Sequence, residues 1–292
     1  MRILLILYLP KLAESVLLIR LEKGLIVPVC LKVSCLNLLS RALFLIGGTI
    51  FGSFLNVIIY RMPRNLPFIR GRSYCPKCRK KISWYDNIPL LSFIVLKGRC
   101  RNCRKKISFR YPLVELLTGV FFVLGAEMTG GLGGLAVLGI LRVWLITLAM
   151  VAVFFIDLEW QIIPDQIVFP LILVISFFSL ITTPQSLITN YLPTAVLASA
   201  FFYFLHWLTR EKGMGLGDVK FVFLIGLILG YPLAVVSLYL AFLTGAIAAV
   251  ILILTGRAIR KQRIAFGPFL AMTCLAVLFW GEKILWLLKK YF

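Results

Sequence analysis

The chain has 292 residues, of which 61% are hydrophobic and 15% charged, with a formal net charge of +21. So apolar a composition excludes an ordinary soluble domain and a disordered chain, and makes a lipid bilayer the expected solvent. The positive charge raises nucleic acid as a partner, but most of it falls in short loops between apolar blocks; that is the pattern of basic residues retained in cytoplasmic loops, so no nucleic-acid partner is expected.

Residues 1–41 are apolar but interrupted by Pro10, Lys11, Glu14, Arg20, Glu22, Lys23 and Pro28, so neither half makes a clean span. This N-terminal extension is assigned no role. A first span is predicted at 42–60, and others near 112–128, 133–156, 166–183, 191–208, 219–231, 233–255 and 267–288, of which 219–231 is the shortest. Most are blocks of the roughly 17–25 apolar residues that cross a bilayer as a helix. Runs such as Val151 to Ile156 do not alternate apolar with polar, which excludes a β-barrel. The expected fold is all-α: a polytopic membrane bundle of about eight spans.

Residues 61–111 interrupt the bundle as one small soluble insertion. Positions 61–110 carry fifteen Lys or Arg against a single acid, Asp86, which sets this insertion in the cytoplasm. The later loops agree. Thr129 to Gly134 and Thr182 to Asn190, predicted outside, are uncharged, whereas the loops predicted inside hold Arg210, Lys212 and Lys220, then Arg257, Arg260, Lys261 and Arg263. Lys283, Lys289, Lys290 and the six basic residues of 1–41 resist this alternation.

The insertion contains Cys75-Pro76-Lys77-Cys78 and Cys100-Arg101-Asn102-Cys103. Two such C-x-x-C turns supply four thiolates to a tetrahedral zinc ion, and a reducing cytoplasm keeps the thiols available; the alternative is two disulfides. The basic residues around the knuckles offset the negative charge of a zinc tetrathiolate. A segment with so few large apolar residues needs the folding energy of a metal. Cys30, Cys35 and Cys274 lack any such pattern.

Only eleven residues are acidic, and two of them stand at cytoplasmic ends of apolar segments. Asp157 follows the run Val151 to Ile156, with Glu159 and Asp165 close behind; Asp218 ends the glycine-rich run Gly213-Met214-Gly215-Leu216-Gly217. Asp218 as a helix cap and Asp157 as an interfacial helix end are the plain alternatives. Neither explains the three glycines, which permit close backbone approach where an extended peptide must reach a carboxylate. Two adjacent carboxylates do not both ionise readily, and a shared proton is what aspartyl proteolysis requires. His206, the single histidine, sits in the apolar run Phe201 to Trp207 and is expected to be a packing residue.

Several motifs in order resemble the type IV prepilin peptidase family: Gly52-Ser53-Phe54-Leu55-Asn56-Val57 with Arg61 and Pro63, both knuckles, Asn87-Ile88-Pro89, and Gly98. The series continues through Tyr111-Pro112-Leu113-Val114-Glu115, Asp157 with Ile163-Pro164-Asp165, Gly213 to Lys220, and Phe266-Gly267-Pro268-Phe269. The resemblance covers roughly residues 47–271. It implies an aspartyl endopeptidase with Asp157 and Asp218 as the catalytic pair in an active-site loop shaped by Gly213, Gly215 and Gly217. It implies cleavage after a leader glycine of type IV prepilins or pseudopilins, on the cytoplasmic side of the bacterial inner membrane. It further implies N-methylation of the new terminus with S-adenosyl-L-methionine as donor, associated with the insertion, Gly98 and Glu115. Residues 112–292 would form the peptidase domain. No motif independently marks a methyltransferase site. Lys212 separates Glu211 from Gly213 where the family more often runs Glu into Gly, and the N-terminal extension has no counterpart. A leader peptidase without methylation and a non-enzymatic membrane-anchored zinc module are the competing readings.

Overall fold

The structure is a computed structural model and describes residues 18–20, 26–28, 30–68, 71–130, 136–209, 214–255 and 265–291. Most of the N-terminal extension therefore lies outside the described residues, as do Gly213 and the basic loop 256–264. The chain forms two compact units. The first, Met1–Phe44, contains a two-stranded antiparallel ribbon in which β1 (Leu18–Arg20) pairs with β2 (Ile26–Pro28). The second, Leu45–Phe292, holds the helical bundle.

Eight long helices carry the described architecture: α1 (Cys30–Arg61), α2 (Arg110–Met128), α3 (Ala136–Trp160), α4 (Asp165–Thr182), α5 (Leu192–Leu208), α6 (Leu216–Leu229), α7 (Leu233–Leu254) and α8 (Gly267–Tyr291). Each predicted span corresponds to one of them. Among the described residues seven helices are long and apolar enough to cross a membrane; α6, with 14 residues, is the remaining one. Its central residues Phe221, Val222, Leu224 and Ile225 are fully buried. It is packed among α5, α4, α8 and α7, so neighbouring helices rather than lipid cover it.

Small residues set the closest helix approaches, as expected where lipid removes the usual hydrophobic drive between helices. On α1, Gly48 and Gly52 lie one turn apart, and a Cβ on either would stand 2.7 Å from a backbone Cα of α2, that of Gly119 or Glu115. This contact holds the N-terminal half of α2, with Glu115, directly against α1. At the end of α3, Gln161 adopts φ +54 and its N–H still reaches the Asp157 carbonyl at 2.9 Å, after which Pro164 precedes the new helix α4. The outward-facing side chains of the bundle are large and apolar, for example Leu173, Phe177, Leu197 and Leu254, which suits contact with lipid tails.

Candidate functional site

Asp157 lies in the last turn of α3 on its buried face, only 4% exposed, while its neighbours Leu158 and Trp160 turn outward. Asp218 lies in the first turn of α6, where its Oδ2 accepts the N–H of Gly215 at 3.1 Å. Asp218 therefore does satisfy a helix-end donor, as the capping alternative expects. It also lies close enough to Asp157 for the two carboxylates to repel one another. Residues 61 positions apart in sequence thus come within electrostatic range of one another at one bundle end.

A third element completes the wall. Gly267 opens α8, and a Cβ there would stand 2.6 Å from Oδ2 of Asp157, so any larger residue would displace the carboxylate. Ile163 fills the space between, 3.3 Å from the Cβ position of Gly217 and 3.3 Å from that of Gly267. The motif Phe266 to Phe269 belongs to the family resemblance, but the sequence alone gives Gly267 no part in the site. Its steric relation to Asp157 spans 110 residues and no local pattern signals it.

The other carboxylates near Asp157 are engaged. Both oxygens of Asp165 take the Lys220 ammonium, at 2.9 and 3.0 Å. Both oxygens of Glu159 take one guanidinium nitrogen of Arg110. His206 is buried, with Nδ1 2.7 Å from the Met214 carbonyl, so it is a satisfied packing residue that also holds the approach to Gly215.

The insertion has a different construction. Each cysteine knuckle repeats one set of bonds: Cys75 N–H to Lys80 O at 3.0 Å and Arg79 N–H to Cys75 O at 2.8 Å, then Cys100 N–H to Lys105 O at 3.0 Å and Arg104 N–H to Cys100 O at 2.9 Å. Arg79 and Arg104 both adopt positive φ directly after the second cysteine. The sequence signal is an internal repeat, Cys75 to Ser83 against Cys100 to Ser108, identical except for the two residues inside each knuckle. The four thiols are free, and their sulfurs all lie within 4.8 Å of one another, Cys75 to Cys103 being 4.0 Å. Sulfurs of a zinc tetrathiolate stand roughly 3.8 Å apart, given Zn–S bonds of about 2.3 Å, so the cluster fits a tetrahedral metal ion after small adjustment. The backbone N–H groups of Cys103 and Asn102 hold the Cys100 thiol down to about 7. For Cys78 the Lys80 N–H acts downward, but burial and the three other sulfurs raise its thiol to about 11.

Between the knuckles and the membrane helices lies a cavity of about 680 Å³. Arg61, in the last turn of α1, braces its edge by donating to the carbonyls of Pro67 and Arg72 at 3.0 and 3.1 Å. Gly98 adopts φ +66, and a Cβ there would stand 3.1 Å from the Phe93 ring, which forms part of the cavity wall. Glu115, 9% exposed, faces the same cavity and accepts the Leu90 N–H at 2.8 Å. Asn56, 3% exposed, donates to the Tyr111 carbonyl at 3.0 Å, while its Oδ1 has no partner. A roomy cavity with an orphaned buried acceptor and aromatic walls fits an adenosyl-type ligand. Glu159 also lines it, two residues beyond Asp157 on the same helix end.

Residues 46–128 match the bacterial peptidase A24 N-terminal domain, and residues 144–250 match the type IV leader peptidase family. A prepilin leader peptidase/N-methyltransferase of Aeromonas salmonicida (strain A449) is 36% identical, over 83% of this chain and 91% of its own length. The protein of that name from Neisseria gonorrhoeae is 34% identical over 77% and 85%. For that of Legionella pneumophila the figures are 33%, 80% and 89%. No solved structure matches the chain.

Proposed function

The chain belongs to the type IV leader peptidase family, and from that premise we propose that it removes the leader of type IV prepilins or pseudopilins by aspartyl proteolysis and then methylates the new N-terminus. The observation that carries the proteolytic part is the convergence of Asp157 and Asp218, while the rival carboxylates Asp165 and Glu159 are each held by a cation. Residues 112–292 form the peptidase domain in this reading, with Gly213, Gly215 and Gly217 shaping its loop.

The anionic member of the pair takes a proton from an attacking water, and the protonated member hydrogen-bonds the scissile carbonyl. Collapse of the tetrahedral adduct returns a proton to the departing amine. Gly217 and Gly267 carry no side chain that would crowd Ile163 or displace the Asp157 carboxylate, which keeps the pair in place for an extended peptide. Both aspartates stand at helix ends on the side assigned to the cytoplasm by the basic insertion, in a multi-pass protein of the bacterial inner membrane. There the basic part of a leader stays in water while the apolar helix behind it stays in lipid.

Cys75, Cys78, Cys100 and Cys103 would hold a structural zinc ion, which would supply the insertion with folding energy. When bound in the cavity lined by Asn56 and Glu115, S-adenosyl-L-methionine would supply an electrophilic methyl group, which the freed amine would take as it loses a proton to water and the neutral thioether departs. Gly98 contributes by leaving room for the Phe93 ring in the cavity wall. The test is incubation of the purified chain in lipid with a prepilin bearing glycine at the cleavage site and the methyl donor. Mass spectrometry should find mature pilin carrying one added methyl at its first residue. An uncut precursor, or a cut and unmethylated product, would contradict the corresponding half of the reading.

A further inference from the structure

Three carboxylates line the cavity beneath the knuckles: Asp86, Glu115 and Glu159. Two are already compensated. Asp86 is gripped by Arg101, through Nε at 2.8 Å and Nη2 at 2.6 Å, and Glu159 is paired with Arg110. Nine Lys or Arg side chains also line the cavity, but none is ion-paired with Glu115 among the described residues; it accepts the Leu90 N–H and faces the Ser53 hydroxyl. A nearly buried carboxylate without a counter-ion is costly, and so is a buried acceptor without a donor. Asn56 Oδ1, lining the same cavity from α1, is such an acceptor. Its amide orientation is fixed because its Nδ2 gives a hydrogen bond to the Tyr111 carbonyl. Glu115 and Asn56 thus lack complementary partners: a positive charge and an N–H donor. A primary ammonium group supplies both at once.

Resting on the proposed methyl transfer, we infer that Asn56 and Glu115 bind the α-ammonium group at the amino-acid end of the S-adenosyl methyl donor. The cavity is of the right scale, since its 680 Å³ falls within the roughly 300–1,000 Å³ of small-molecule sites. Tyr60, Tyr85 and Tyr111 line it and offer aromatic faces to the nucleoside end. The adenine amino group is neutral and cannot compensate Glu115, which assigns the charged end of the ligand to this wall. The pilin amine is released beside Asp157, on the α3 end that carries Glu159 into the cavity, so it has a different approach.

The test is equilibrium binding to the zinc-loaded full chain in lipid nanodiscs, read by calorimetry. The two probes are S-adenosylhomocysteine and its deaminated analogue, which keeps the nucleoside, thioether and carboxylate. Wild type should prefer the amine-bearing probe by roughly tenfold or more, the scale of a charge-assisted hydrogen bond. Glu115→Gln and Asn56→Ala should bring that ratio towards one through weaker binding of the amine-bearing probe alone. Zinc content and prepilin cleavage report whether each variant has folded, and the wild-type comparison stands without any variant. Equal wild-type affinity for the two probes would overturn the inference while leaving methyl transfer intact. So would an unchanged ratio in folded variants, including the case where only the KM for cleaved pilin rises, which would put the pilin amine on this wall. A wild-type enzyme that neither binds S-adenosylhomocysteine nor methylates would overturn the proposed methyl transfer and the inference together.

Discussion

The aspartate site and the cysteine insertion are built by opposite means. Asp157 and Asp218 are positioned by the ends of long helices whose interiors, from Met150 and Val153 to Phe221 and Leu224, are wholly buried. The insertion offers little such interior; its large side chains Trp84, Leu91, Ile94 and Phe109 are exposed. Its order comes from turn hydrogen bonds, the Asp86–Arg101 pair and four convergent thiols. One region therefore keeps its geometry through packing and the other through turn hydrogen bonds, an ion pair and its thiol cluster, so they should fail under different insults.

Loss of a carboxylate is the largest expected effect. Asp157→Asn or Asp218→Asn should lower the cleavage rate by about 10² to 10⁴, the worth of general acid–base catalysis, with the insertion still zinc-loaded. Methylation of an already cleaved pilin should persist in these variants, measured as transfer of labelled methyl. Its disappearance would break the separation between the regions.

Chelation should act on the other side. A structural zinc site contributes about 10–16 kcal/mol of apparent binding energy in small domains, so its removal should unfold the insertion and abolish methyl transfer. Limited proteolysis should then cut within 61–111 while the membrane bundle resists. Equal sensitivity of cleavage and methylation to the chelator would mean that the aspartate site leans on the insertion, for which Arg110–Glu159 and the stacking of Arg64 on Tyr60 and Trp160 provide contacts.

Gly98→Ala is a milder probe of the same region. A left-handed backbone costs a non-glycine residue about 1–2 kcal/mol, and here the added Cβ also meets Phe93. Methyl transfer should fall several-fold to tenfold with zinc retained. The smallest effect should come from Asp165→Asn, which removes a half-exposed pair with Lys220 worth about 0–1 kcal/mol. Cleavage by that variant should stay within a few-fold of wild type.

The helical bundle was legible because apolar blocks of membrane length leave few alternatives. Helix α6, the shortest predicted span, is the least legible because its burial comes from α4, α5, α7 and α8 rather than from its own length. The cysteine spacing announced the four-thiol cluster since knuckle geometry is local. What the sequence concealed lies in long-range pairs: Gly267 on Asp157, Lys220 on Asp165, Arg110 on Glu159. None of these has a periodicity or spacing to betray it. The uncompensated state of Glu115 is likewise visible only once its neighbours are assembled.

The central claim is that Asp157 and Asp218 work as one proteolytic unit, and the direct measurement is the cleavage rate of Asp157→Asn, Asp218→Asn and the double variant on one prepilin, beside Asp165→Asn. Groups that act together are strongly non-additive. The account predicts that the double variant is no slower than either single one and that Asp165→Asn cleaves nearly as wild type. Near wild-type cleavage by either single aspartate variant, or multiplying losses in the double, would contradict it.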